Sequence, residues 1–102
     1  MYQWTGLLNG DDGEPLVSPS DADKTVQIKG TFGVGGAINI EGSNDLTAPT
    51  YATLTDSAGV SVAVTSAKIV GILQNPYQLR PRVISGDGTT NLTVTIVIRR
   101  AA

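Results

Sequence analysis

Apolar and polar side chains alternate one by one along two stretches of this chain, and this pattern constrains the fold most strongly. After Lys24, the apolar residues Val26 and Ile28 occupy alternate positions. Within residues 91–100 every second residue is apolar, at Leu92, Val94, Ile96 and Ile98. Successive side chains of an extended strand point to opposite faces of a sheet, so a period of two indicates a strand buried on one face. The sequence therefore predicts β-strands that cover a common core.

The residue composition favours strands along the rest of the chain. The 102 residues include 10 Val, 8 Ile and 12 Thr, whose branched Cβ atoms restrict rotation in helices and pack well on a pleated sheet. Glu, Lys and Arg, the usual residues of helix surfaces, total only 9. No segment repeats apolar residues at helical spacing between capping residues. We predict an all-β protein.

The glycine-rich residues 33–36 predict a β-hairpin. In that hairpin Phe32 lies opposite Ile38, and Lys29 lies opposite Glu41 as an exposed ion pair worth less than about 1 kcal/mol. A phosphate-binding loop is the alternative, but this segment lacks the Lys-Ser/Thr ending of such loops and a strand follows it. The hairpin is therefore the preferred interpretation.

Further turns and breaks divide the chain into about eight short strands. Residues 56–59 begin with Asp and end with Gly, which suits a turn of type I character, and residues 74–76 end in Pro. Pro81 cannot donate to a sheet, which predicts an edge strand or a bulge at that point. This spacing predicts a two-layer antiparallel β-sandwich over residues 24–102, of jelly-roll or Greek-key type, with the strand order left open.

Residues 1–23 differ from this predicted body. Residues 1–8 suit a short strand with Tyr2 and Trp4 on one face. The Pro, Gly and Asp residues that follow oppose regular strand pairing, so we predict that residues 1–23 form an arm or loop laid over the sandwich. The apolar residues of the arm are candidates for burial against a partner protein: Tyr2, Trp4, Leu7 and Leu8. The alternative is that Trp4 covers one end of the sandwich's own core.

Composition excludes several classes of function. The chain has no Cys and no His, which removes disulfides, thiolate zinc sites and imidazole bases. A net charge of −2 and a pI near 4.7 argue against nucleic-acid binding, and no apolar run is long enough to span a membrane. Glu41, Asp45 and Asp56 are interpreted as a solvent-facing strand residue and two turn formers, not as a catalytic pair. We predict no catalytic residue, no metal site and no cofactor.

Four of the seven cationic residues lie in two segments that could be neighbours in a sheet: Arg80, Arg82, Arg99 and Arg100. A basic edge facing solvent is one interpretation. The other is a contact with an acidic protein, including the acidic residues 11–23 of a neighbouring copy.

Four segments carry a resemblance to a known class of proteins. They are IEGSND at 40–45, YATLTD at 51–56, NPYQLRP at 75–81 and GDGTTNLTV at 86–94. Together they resemble small virion proteins of tailed bacteriophages, short all-β proteins of which some decorate or cement the capsid shell. The first of these segments also resembles part of discoidin-type sugar- and lipid-binding sandwiches, which are longer and often carry a disulfide.

The phage resemblance implies a structural function. It implies a capsid decoration or cement protein on the outer surface of the virion, which binds the major capsid protein as a homo-oligomer and has no small-molecule substrate. The alternative is a small binding module of a phage tail or of a receptor- or glycan-binding assembly. In that case residues 45–50 and 85–90 are the predicted contact loops.

Overall fold

The computed structural model describes residues 2–17, 22–72 and 74–100, and the regular structure in these ranges consists of β-strands. No helix that could cross a membrane occurs in them. The strands are β1 (Tyr2–Leu7), β2 (Leu16–Val17), β3 (Ala22–Thr31), β4 (Ala37–Ser43), β5 (Ala52–Thr53), β6 (Ala63–Val64), β7 (Lys68–Ile72), β8 (Gln78–Ser85) and β9 (Asn91–Arg100).

The strands form two antiparallel sheets that enclose one core. Sheet A has the order β1-β9-β3-β7, and sheet B has the order β2-β8-β4-β5, with β6 also paired to β4. The pairing is nested: β1 joins β9, β2 joins β8, β3 joins β7, and β4 joins β5 and β6. The predicted all-β, two-layer antiparallel sandwich is confirmed.

The core is formed by the alternate residues that the sequence pattern identified. Val26 and Ile28 of β3 and Leu92, Val94 and Ile96 of β9 are at most 1% exposed. They pack against the inward residues of sheet B, among them Ile38, Ile40, Leu79 and Val83. Burial of each such side chain contributes about 1.5–3 kcal/mol, so these strands hold the two layers together.

Residues 2–7 form the predicted short strand, but this strand belongs to sheet A and is not part of an arm laid over the sandwich. They pair along β9, with Tyr2 opposite Ile96 and Trp4 opposite Val94. Trp4 and Leu7 are each 6% exposed, and the indole Nε1 of Trp4 donates to the carbonyl oxygen of Glu14 at 3.0 Å. A shift of register between Trp4 and Leu7, where Gly6 adopts a φ of +65°, turns both side chains inward. The N-terminal segment is therefore an outer strand of sheet A. Met1 and residues 18–21 of the predicted arm lie outside the described residues.

The predicted hairpin at residues 33–36 is wrong, because β3 and β4 belong to different sheets. The segment crosses from one sheet to the other with positive φ at Gly33 and Gly35. It is tied to the other crossing link, residues 86–90, because the backbone N–H of Val34 donates to the carboxylate of Asp87 at 2.8 Å. Glycine permits positive φ both in a hairpin within one sheet and in a link between two sheets, so the local sequence did not distinguish these two structures.

The expected pair between Lys29 and Glu41 fails for the same reason. Lys29 lies opposite Thr93 of β9, in sheet A. Glu41 lies opposite Arg80 of β8, in sheet B. The two side chains are therefore on different sheets.

Pro81 lies inside sheet B, at neither an edge nor a bulge. It is opposite Ile40, whose N–H and C=O bond to Val62 and Leu54 on the far side of β4. At this position of the β4–β8 pair no N–H of β8 needs to donate to β4, so a proline, which lacks the N–H, is tolerated. The Pro81 carbonyl accepts from the N–H of Gly13 at 2.8 Å. The register shift between β4 and β8 lies at the other end of the pair, between Ala37 and Ile38 of β4.

The predicted turn at residues 56–59 is confirmed. The carboxylate of Asp56 accepts hydrogen bonds from the backbone N–H groups of Ala58 and Val60, at 2.9 and 3.0 Å. Gly59 has a φ of +81°, and its N–H donates to the carbonyl of Asp56. An Asp that satisfies the amides of its own turn, followed by a Gly, is the arrangement the sequence indicated.

Candidate binding surfaces

Four charged side chains form a network on the outer face of sheet B. Glu41 of β4 lies 3.3 Å from Arg80 Nε and 3.8 Å from Arg82 Nη1. Asp12, from the segment that runs beside β8, lies 3.5 Å from Arg80 Nη1 and 3.5 Å from Arg82 Nε. Each carboxylate thus bridges both arginines. We call this cluster of Asp12, Glu41, Arg80 and Arg82 the ion-pair face.

Polar contacts cover the ion-pair face from one side. The guanidinium carbon of Arg80 lies 3.8 Å from the ring centroid of Tyr51, a cation–π contact. The hydroxyl of Tyr51 donates to Gln78 Oε1 at 3.0 Å, and Gln78 Nε2 donates to the carbonyl of Asp45 at 2.8 Å. As a result Glu41 is only 6% exposed, so the prediction that it faces solvent is wrong.

The predicted basic edge does not form. Arg80 and Arg82 lie on β8 of sheet B, whereas Arg99 and Arg100 lie on β9 of sheet A. The side chains of Arg99 and Arg100 are outside the described residues. Arg80 and Arg82 form ion pairs with Asp12 and Glu41 of the same chain. A contact of these arginines with an acidic protein or with a neighbouring copy stays a prediction.

The four predicted anchors at the N-terminus divide into two pairs. The side chains of Trp4 and Leu7 are in the protein's own core, as the alternative interpretation of Trp4 anticipated, and are not exposed for a partner to contact. Tyr2 is 37% exposed and Leu8 is 50% exposed. The Tyr2 ring packs on Trp4 with 4.7 Å between ring centroids. Only Tyr2 and Leu8 of this set are therefore accessible.

The outer face of sheet A carries short, uncharged side chains. Along β3 and β9 the residues that alternate with the core point outward, and most are exposed or half-buried hydroxyls and amides. Among the described side chains of this face, Asp23 and Lys29 carry charge, and they lie toward opposite ends of β3. The uncharged members, which we call the hydroxyl face, are Gln3, Thr5, Thr25, Gln27, Thr31, Ile69, Asn91, Thr93, Thr95 and Val97.

A pocket of about 540 Å³ opens at one end of the sandwich. We call it the end pocket; it is lined by residues 42–45, 50, 52–54 and 74–76. The carboxylate of Asp45 shapes its loop by accepting the backbone N–H of Thr50 at 2.8 Å. Ala48 in this loop has a φ of +46°, a conformation that costs a non-glycine residue about 1 kcal/mol or more.

A buried lysine lies behind the end pocket. Lys24 points inward from β3, is 2% exposed, and donates from Nζ to Asn75 Oδ1. Desolvation by burial lowers the pKa of Lys24 below its ordinary value, and the charge of Asp23 partly opposes this shift. The contact fixes the orientation of the Asn75 side chain at the pocket. The sequence predicted loop 45–50 as a contact loop but did not predict residues 74–76. These residues reach the pocket because they connect β7 of sheet A to β8 of sheet B.

The second predicted contact loop, residues 85–90, has a structural explanation. Asp87 accepts hydrogen bonds from the N–H of Val34 and from the N–H and hydroxyl of Thr89, at 2.7–2.8 Å. These donors lower the pKa of Asp87 to about 2. The hydroxyl of Thr90 donates to the carbonyl of Phe32 at 2.7 Å. The loop therefore fastens the two links that cross between the sheets.

Two further observations bear on function. In the described ranges, no group of three or more His, Cys, Asp or Glu side chains is placed to hold a metal ion. Comparisons with known proteins found no matching family, no matching curated protein and no matching solved structure. The functional argument therefore rests on the surfaces described above.

Proposed function

We propose that this chain is a structural protein of a tailed-phage virion that attaches to the outer surface of the capsid through the hydroxyl face. The observation that carries the proposal is the low density of charge on the outer side of sheet A, where Asp23 and Lys29 are the charged residues among the described side chains. The four segments that resemble small phage virion proteins also support it.

The two outer faces differ in what attachment would cost. Charged residues are depleted in the buried centre of protein interfaces, where removing a charge from water is expensive. The uncharged residues of the hydroxyl face can be covered without such a cost, because Thr and Gln side chains can bond to a facing backbone. Lys29, between Gln27 and Thr31, is the charged side chain that a contact here would have to leave in water. The ion-pair face has already satisfied its charges internally and gains less from a partner.

The strand order supports a jelly-roll arrangement. In such folds the chain pairs as nested strands and then wraps into two sheets, and viral capsid domains and lectins share this architecture. This is an analogy of fold alone and agrees equally with a shell protein or a sugar-binding protein. Self-association through β1 is also proposed, because β1 is the outer strand of sheet A and has β9 as its sheet partner.

The test is co-sedimentation with capsids of the encoding phage purified without this protein. Thr25 lies on the hydroxyl face, and we expect Thr25→Glu to weaken binding by more than about tenfold because it adds an unpaired charge to the interface. Thr47→Glu makes the same change in the exposed loop of the end pocket and should bind like the wild type. Binding of Thr25→Glu at wild-type strength would overturn attachment through this face.

A second candidate function is a binding module of a phage tail or of a receptor- or glycan-binding assembly. The observation that favours it is the end pocket, whose volume lies within the range of small-molecule sites, about 300–1,000 Å³. Retention of capsid binding by the wild type in the same assay would favour the first candidate.

A further inference from the structure

We infer that the end pocket binds a neutral, hydroxyl-rich saccharide. This inference deepens the second candidate function and does not depend on attachment to a capsid. It rests on the orientation of three carboxamide side chains that line the pocket, those of Asn44, Gln74 and Asn75.

Hydrogen bonds within the protein occupy the oxygen of each carboxamide and leave its NH₂ group as the atom that can bind a ligand. The amide oxygen of Asn44 accepts the backbone N–H of Tyr77 at 2.9 Å, and that of Gln74 accepts the N–H of Thr55 at 2.6 Å. The Asn75 oxygen accepts from the buried lysine of β3. A backbone N–H and an ammonium group only donate, so the facing atom must be the oxygen in all three cases.

The consequence is a cluster of unused donors. Within the described part of the chain, the amide nitrogens of Asn44, Gln74 and Asn75 have no hydrogen-bond partner. Asp45 adds an acceptor, since its Oδ2 bonds Thr50 while its other oxygen bonds no group among the described residues. The pocket thus offers several N–H donors beside one carboxylate.

This combination selects a class of ligand. A sugar hydroxyl both donates and accepts, so neighbouring hydroxyls can take an amide N–H and give a hydrogen bond to Asp45. An anion could accept hydrogen bonds from the amides but would be repelled by the carboxylate of Asp45. A cation would be attracted by that one carboxylate, but the three amide NH₂ groups could not coordinate it. An exposed aromatic ring, Tyr77 at 43%, follows Pro76 of the lining and can pack on the apolar face of a sugar ring.

The experiment uses the free full-length protein and a panel of neutral sugars: glucose, galactose, mannose and N-acetylglucosamine, with glucuronate as the charged counterpart. Side-chain amides give their own signals in a proton–nitrogen correlation spectrum. We expect at least one neutral sugar to shift the signals of Asn44, Gln74 and Asn75. The Asn91 signal should not change, because Asn91 lies at the end of β9 away from Ile98, the residue opposite Lys24 behind the pocket.

Three nearly isosteric variants test the amide donors without removing the oxygens that hold the pocket together. Asn44→Asp, Gln74→Glu and Asn75→Asp keep the oxygen that the protein uses but lose the free NH₂ group. Each should weaken sugar affinity by about fivefold, whereas the matched control Asn91→Asp should not. Wild-type affinity in all three variants, no amide shift with any neutral sugar, or a stronger response to glucuronate would overturn the inference. Because no capsid is present, failure of the capsid assay has no bearing on this result.

Discussion

The two sheets cover one core, but their outer faces differ in composition: one carries mainly uncharged polar side chains and the other an ion-pair network. The hydroxyl face of sheet A presents side chains such as Thr25 and Gln27, and the amide of Gln3 donates to the hydroxyl of Thr95 within it. The ion-pair face of sheet B joins Asp12 and Glu41 to two arginines and covers Glu41 almost completely. One face is therefore open to a partner, and the other contributes to holding its own strands together.

This difference shows that the number of charges on a surface does not by itself indicate a docking site. The arginines of β8 were the strongest charged feature in the sequence, yet their carboxylate partners lie in the same molecule. The hydroxyl face, which has no comparable ion-pair cluster among its described side chains, is the face proposed for docking. Variants at matched positions of the two faces can test this contrast.

The largest effect is expected from the core that both faces share. Trp4→Ala should destabilise the protein by about 3–5 kcal/mol, because it leaves a large cavity under β1 and removes the indole donor to the Glu14 carbonyl. Urea denaturation followed by circular dichroism measures the change. Tyr2→Ala, at a 37% exposed position, is the control and should cost much less. Equal, small effects of both substitutions would show that β1 does not belong to the core.

A smaller effect separates the two faces directly. Glu41→Ala should cost about 2–3 kcal/mol, because it leaves Arg80 and Arg82 with only Asp12 as a carboxylate partner and opens a buried site. Lys29→Ala on the outer side of sheet A should change stability by less than about 0.5 kcal/mol. Thermal unfolding of both variants gives the comparison. A cost for Lys29→Ala as large as that for Glu41→Ala would contradict the assignment of structural charge to sheet B.

The smallest effect concerns the link between the sheets and depends on pH. The folded-state pKa of Asp87 is lowered from 3.8 to about 2, so its contribution is present above pH 3.8 and is lost as the pH falls toward 2. Asp87→Asn should lower the melting temperature slightly near neutral pH and flatten its dependence on pH in that acid range. Melting curves of the two proteins across the range measure this. Parallel curves would mean that Asp87 does not fasten the links.

Local pattern predicted the strands but not their partners. The alternation of Val26, Ile28 and residues 91–100 identified the inward side chains correctly, because a period of two depends only on the strand itself. The link at residues 33–36 was assigned to a hairpin, since a glycine with positive φ serves equally in a hairpin and in a crossing between sheets. The choice depends on residues 86–90, which are distant in sequence.

The candidate surfaces were predicted less completely for related reasons. Glu41 does lie on the outward side of its strand, but the alternation could not show that Arg80 and Tyr51 cover that side. For Trp4 the sequence left both an interface and the protein's own core open, and pairing with β9 places the side chain in the core. The amides of residues 74–76 join loop 45–50 only after β7 and β8 are assigned to different sheets.

In sheet A, β9 lies between β1 and β3. During synthesis the chain therefore produces β1 and β3 long before the segment that joins them exists. At roughly 5–20 residues per second, β1 waits several seconds with an apolar Trp exposed to other molecules. Assembly of this sheet must wait until β9 has been synthesised, and contacts so distant in sequence also favour slow folding. A chain terminated within β9 is expected to be a substrate for chaperones and proteases, because β1 and β3 then lack the strand that joins them.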